Sequence, residues 1–164
     1  MSDKTNLVLI GMPGAGKSTV GVVLAKKLGY YFMDSDLVIQ EQEGKLLHEL
    51  IRELGGEGFL QLENEINASI RTDRSVIATG GSAVYGKEAM EHFRQIGTVV
   101  YLSLPYDEIE KRLGDLNERG VVLAPGQTLQ DLYRERVPLY ESYAHRVIDC
   151  SGKSIREIVG EIAG

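Results

Sequence analysis

The chain has 164 residues, 43% hydrophobic and 26% charged, with a formal net charge of −6 at pH 7, which suits one soluble globular domain. The acidic balance argues against a nucleic-acid or anionic-membrane surface, because phosphate backbones and anionic lipids select basic patches. The apolar run Leu7 to Ile10 is too short for a signal-peptide core or a membrane span, and the single cysteine, Cys150, excludes an internal disulfide. A cytoplasmic monomer acting on a small molecule is expected.

The first predicted strand, Asn6–Ile10, runs directly into Gly11-Met12-Pro13-Gly14-Ala15-Gly16-Lys17-Ser18, a match to the P-loop pattern G-x-x-x-x-G-K-[ST]. In such a loop glycines turn backbone N–H groups onto phosphates, the lysine reaches the outer phosphates and the serine hydroxyl ligates Mg²⁺. The helix predicted over Lys17 to Leu28 adds the partial positive charge of its N-terminus. Gly14, Ala15, Gly16, Lys17, Ser18 and Thr19 are therefore the candidate ATP-binding residues, with Ser18 also a candidate Mg²⁺ ligand. A second Gly-Lys-Ser, Gly152 to Ser154, lacks the leading glycine, since Val147 stands five positions earlier.

A second strand, Tyr30–Met33, leads into Asp34-Ser35-Asp36. Ligands of open α/β sheets bind at the carboxyl ends of the strands, so one carboxylate can serve Mg²⁺ and the other an acceptor hydroxyl. Equally, either aspartate suits the N-cap of a helix starting near Leu37. About forty residues then precede the third strand, more than a simple βα connection needs, so an extra helical lobe is expected at about 35–74, with helices over Leu46 to Leu54 and Phe59 to Ile70. The remaining elements alternate: strand Ser75–Ala78, helix Lys87 to Gln95, strand Thr98–Leu102, helix Tyr106 to Leu113, helix Leu129 to Tyr143, strand Arg146–Asp149 and helix Ser154 to Ile162. The irregular stretch at 114–127, rich in glycine, reads as a lid that closes over the site. This order implies a single three-layer α/β domain over 1–164, a P-loop NTPase fold with a five-stranded parallel sheet flanked by helices. A guanine-reading Asn-Lys-x-Asp run is absent, which argues against a GTP-dependent switch. His48, His92 and His145 have no catalytic spacing, and Tyr133, Tyr140 and Tyr143 lie at a helical spacing that suits packing. Arg136 on its own could simply pair with Glu135 or Glu141 on a helix surface.

Taken together, Gly11–Thr19, Asp34-Ser35-Asp36, Gly56-Glu57-Gly58-Phe59 with Glu63, Thr79-Gly80-Gly81, Arg119 and Arg136-Val137-Pro138-Leu139-Tyr140 resemble the shikimate kinase family over essentially the whole chain. The resemblance implies ATP- and Mg²⁺-dependent phosphorylation of a hydroxyl of shikimate. It further implies that Asp36 holds and deprotonates the acceptor hydroxyl, that Asp34 lies near Mg²⁺, and that Gly80 and Gly81 bring backbone close to the acceptor. Arg136 would grip the acceptor carboxylate, Arg119 would close over the transferring phosphate, and Arg112 would lie against the adenine. Lys17, Asp36 and Arg119 are then the candidate catalytic residues. The chain departs from the family pattern at three places. Leu60 replaces an arginine after the phenylalanine, Ser82 replaces the last glycine of a triple glycine, and Gly120-Val121-Val122 follows Arg119 where Pro-Leu-Leu is usual. Leu60 removes one carboxylate clamp, which leaves open a kinase of the same fold for another hydroxylated metabolite, a polyol or sugar acid.

Overall fold

The computed structural model describes residues 5–113 and 126–164. Among them, five strands form one sheet: β1 (Asn6–Ile10), β2 (Tyr31–Asp34), β3 (Ser75–Ala78), β4 (Gly97–Ser103) and β5 (Arg146–Asp149). The order is β2-β3-β1-β4-β5, and all four pairings are parallel. A parallel sheet is covered on both faces, so its central strands read as continuous apolar runs. Val8, Leu9 and Ile10 of β1, Val76 and Ile77 of β3, and Val99 and Val100 of β4 are accordingly buried without exception. The edge strands are not, and Tyr31 of β2 is 75% exposed.

The covering helices are α1 (Lys17–Leu28), α2 (Ser35–Glu43), α3 (Leu47–Ala68), α4 (Lys87–Ile96), α5 (Tyr106–Leu113), α6 (Leu129–Tyr143) and α7 (Ile155–Ala163). Asp34 caps α2, accepting from the backbone N–H of Asp36 at 2.9 Å, and Thr128 and Ser154 cap α6 and α7 with capping boxes. The helix expected near Leu37 thus starts two residues earlier, because the aspartate before it satisfies the first free N–H groups. The two helices expected before β3 are both present within the span α3 and meet at a kink at Gly55. Its φ of 75° and ψ of 171° are non-helical and lie in a region essentially restricted to glycine, so the helical path breaks there. Helix α6 runs through Pro138.

Two hydrophobic clusters follow from this layout. The large one fills both faces of the sheet. A small one gathers Ile39 of α2 with Leu50, Phe59 and Ile66 of α3, so the insertion between β2 and β3 carries apolar packing of its own. Of the seven glutamates at 41–65, all but Glu49 and Glu63 are exposed, as expected for a solvated helix face. No helix among the described residues is long and apolar enough to cross a membrane.

Candidate active site

The carboxyl ends of β1, β2 and β3 open into one cleft of about 270 Å³. Its walls include Gly14, Gly16, Lys17, Ser18 and Thr19 from the P-loop, Asp36 from α2, Gly80 and Gly81 after β3, and Arg136 from α6. Residues scattered over more than a hundred positions converge because a parallel sheet delivers every strand end to the same edge.

The P-loop is built from its glycines. Gly14 and Gly16 hold φ values of 82° and 94°, left-handed conformations that side-chain-bearing residues resist. Gly16 leads into α1, whose first turn contains no acidic residue, so its N-terminal field is free to act on an anion. Lys17 is buried, and its Nζ donates to the carbonyls of Gly11 at 2.7 Å and Met12 at 2.9 Å. Burial lowers its pKa to about 8, with Asp36 opposing that shift and Arg136 adding to it. Ala15 within the loop is buried, and Arg112 donates Nη1 to the Gly14 carbonyl at 3.2 Å, which sets its guanidinium against the P-loop.

Asp34 and Asp36 separate into two environments. Asp34 Oδ1 caps α2, while its Oδ2 accepts from the Ser18 hydroxyl at 3.1 Å. The cap and a hydrogen bond to the P-loop serine therefore coexist in one side chain. Ser18 and Asp34 offer hard oxygen donors side by side, which suits Mg²⁺ held partly by phosphates and water. Among the described residues, no group of three or more His, Cys, Asp or Glu side chains could hold a metal ion. Asp36 points into the cleft, and its pKa is pushed up to about 6 by burial first and the Asp34 charge second, with Lys17 pulling the other way.

Behind Gly80 lies Glu63, only 2% exposed. Its Oε1 accepts from the Ser82 hydroxyl at 2.7 Å, and Oε2 is buried with no hydrogen-bond partner. Burial raises its pKa to about 7, against the opposing effect of the Ser82 hydrogen bond. Gly80 is tightly enclosed: a Cβ there would lie 2.6 Å from Asp36 Oδ1 and 3.1 Å from Glu63 Oε2. Gly81 is similar, with Pro13 Cδ at 2.6 Å and Arg136 Nη1 at 2.9 Å from the same hypothetical atom.

Arg136 is not a surface residue; it is 1% exposed and donates Nε to the Tyr85 hydroxyl at 3.3 Å. Tyr140 packs on Tyr101, but it also donates its hydroxyl to the Gly81 carbonyl at 2.6 Å, so packing describes only part of its work. Tyr133 donates to the Leu104 carbonyl. His145 Nδ1 accepts from the Val99 N–H, tying the chain ahead of β5 to β4, and His92 Nε2 faces the Ile70 carbonyl; both belong to the scaffold. Leu60 is half-buried and does not line the cleft, whereas Phe59 and Leu47 do. Arg119 and the lid expected at 114–127 lie outside the described residues except for Gly126 and Gln127. The Glu63–Ser82 bond and Tyr85 carried no local signal in sequence beyond the oddity of a serine after two glycines.

The sequence model of the shikimate kinase family matches residues 13–164. The shikimate kinase of Clostridium botulinum is 36% identical over 160 residues, covering 97% of this chain and 95% of that protein. The one from Geobacter metallireducens is 36% identical over 166 residues, covering 99% and 92%. Among solved structures, shikimate kinase from Acinetobacter baumannii in complex with shikimate superposes with a TM-score of 0.87 at 33% identity, covering 98% of this chain and 91% of that one. The Aquifex aeolicus enzyme gives 0.82 at 30% identity, covering 96% and 94%. With a P-loop, a half-buried aspartate and a buried arginine on one cleft, and relatives matched over nearly their whole length, the chain belongs to the shikimate kinase family, ATP-dependent phosphotransferases acting on a hydroxyl.

Proposed function

We propose that this chain transfers the γ-phosphoryl group of ATP to a hydroxyl of shikimate, with Mg²⁺ as the metal. The observation that carries the reading is the convergence of Lys17, Asp36 and Arg136 on one cleft. Gly14, Ala15, Gly16, Lys17, Ser18 and Thr19 hold the nucleotide phosphates, and Arg112 lies at the nucleotide end. Ser18 and Asp34 would hold Mg²⁺, which when bound neutralises charge on the phosphate oxygens. Asp36 orients the acceptor hydroxyl and takes its proton. A pKa of about 6 leaves it ionised at neutral pH yet more basic than an ordinary aspartate, as a general base requires. The N–H groups of Gly80 and Gly81 face the acceptor, and Arg136 takes its carboxylate through a planar fork. Arg119 is assigned the transferring phosphate. Catalysis in this scheme is mostly positioning and charge compensation.

The lobe at about 35–74 binds the acceptor, the segment at about 114–127 closes over it, and the enzyme works as a cytoplasmic monomer in this reading. A second acceptor, a polyol or sugar acid, is favoured by one observation: Leu60 follows Phe59 where the family pattern carries an arginine. A panel of shikimate, polyols and sugar acids, each assayed for phosphate gained from ATP with and without Mg²⁺, tests both readings. Turnover of shikimate well above the others supports the first; turnover of a polyol with none of shikimate overturns it.

A further inference from the structure

Arg136 is an expensive residue to bury, since a desolvated guanidinium needs hydrogen bonds and a compensating environment. Tyr85 supplies two contacts to it. The phenol oxygen accepts from Nε at 3.3 Å, and the guanidinium carbon lies 5.3 Å from the ring centroid. Tyr85 ends the 3₁₀ turn Ala83–Tyr85 that follows Gly80-Gly81-Ser82, so its position is set by the same backbone that walls the cleft. The phenol also faces the Glu135 carboxylate, and burial raises its pKa, so it stays neutral and can accept from Arg136 while donating to Glu135. At the other end of the guanidinium, Nη1 lies close to Gly81, whose carbonyl is held by Tyr140 one helical turn beyond Arg136.

We propose that Tyr85 is a positioning residue for acceptor recognition: it engages the Nε edge of Arg136 and so fixes the course of a side chain that lines the cleft. Tyr85 does not line the cleft, so it acts through Arg136. An arginine whose Nε edge is already held loses less rotamer freedom when the acceptor arrives. That preorganisation matters more in a chain with Leu60 where the family pattern carries a further arginine. The inference rests on the reading that Arg136 takes the shikimate carboxylate.

The test compares Tyr85→Phe, Tyr85→Leu, Arg136→Lys and the double variant Tyr85→Phe/Arg136→Lys. Each is measured for KM of shikimate, KM of ATP, kcat and Tm. Tyr85→Phe should raise the shikimate KM about three- to tenfold, the range for the loss of one ordinary hydrogen bond, which suits a contact of 3.3 Å. Its kcat should fall by less, and ATP KM and Tm should hold. Tyr85→Leu should raise the shikimate KM further, because the ring contact also goes. On the Arg136→Lys background Tyr85→Phe should add little, since lysine has no Nε edge to hold. If Arg136→Lys raises the shikimate KM and both Tyr85 variants leave it alone, the Tyr85 assignment is overturned while Arg136 keeps its role. If Arg136→Lys has no effect on that KM, both fall together. A Tyr85→Phe protein with lowered Tm and equally raised KM for ATP and shikimate would place Tyr85 in the scaffold instead.

Discussion

Glu63 carries a carboxyl group into the interior with one oxygen bonded to Ser82 and the other unpartnered. Its pKa rises from an ordinary 4.5 to about 7, chiefly through burial. A carboxyl whose folded pKa is raised holds its proton longer in the native state than in the unfolded chain. The stability it supports is therefore complete below pH 4.5 and declines as pH rises through about 7. The interval corresponds to about 3 kcal/mol withheld from the native state at pH 8. Glu63→Gln keeps an oxygen for Ser82 and cannot ionise. The variant should match the wild type within about 1 kcal/mol at pH 5 and exceed it by about 3 kcal/mol at pH 8. For a chain of this length that is roughly 6–12 °C in Tm at the higher pH. Urea or thermal unfolding of both proteins across pH 5 to 8 reads the effect directly. Parallel pH profiles for the two proteins, or a wild type that is the more stable at pH 8, would refute the argument that burial dominates at Glu63.

Four further substitutions address the site itself. Lys17→Ala should leave the fold intact and lower kcat roughly 10²–10³-fold, the scale for removing a pre-placed charge-stabilising donor; near-normal turnover in a folded protein would contradict the phosphate assignment. Asp36→Asn should cost kcat about 10²–10⁴-fold while sparing ATP affinity, because the amide can bond a hydroxyl but not take its proton. Loss of ATP affinity with kcat retained would move Asp36 to the metal. Gly80→Ala should lower kcat/KM for shikimate by up to about 10²-fold, the cost of misplacing a reacting group by about an ångström, since the new methyl would meet Asp36 Oδ1 at 2.6 Å; unaltered kinetics would mean Asp36 tolerates displacement. Leu60→Arg should lower the shikimate KM roughly tenfold or more if a charged hydrogen bond to the carboxylate returns, with a melting curve to exclude loss of fold. A folded variant with no gain, beside a wild type inactive on shikimate, would favour the other acceptor class.

The sequence by itself determined whatever depends on contiguous residues. A strand, a glycine-rich turn and a helix N-terminus are one local unit, so the P-loop at Gly11–Ser18 is legible without any tertiary contact. The alternation of apolar runs and helical periods likewise delivered the five strands and most helix limits, because sheet burial and helix amphipathicity leave periodic marks. Family resemblance pointed to Asp36, Gly80, Gly81 and Arg136.

Only the tertiary structure decided which side chains are neighbours. Asp34 is at once a helix cap and the hydrogen-bond acceptor of Ser18, sixteen positions earlier; the local pattern suggests the cap but carries no sign of that contact. Arg136 could have paired on its helix surface; burial beside Tyr85, fifty-one positions away, settles its surroundings. Glu63 belongs to the family resemblance but sits in a run of exposed glutamates, and its burial follows from Gly80 and Ser82 closing over it. Burial and desolvation depend on packing from distant segments, and no periodicity along one chain encodes which of several like residues a remote strand end will cover.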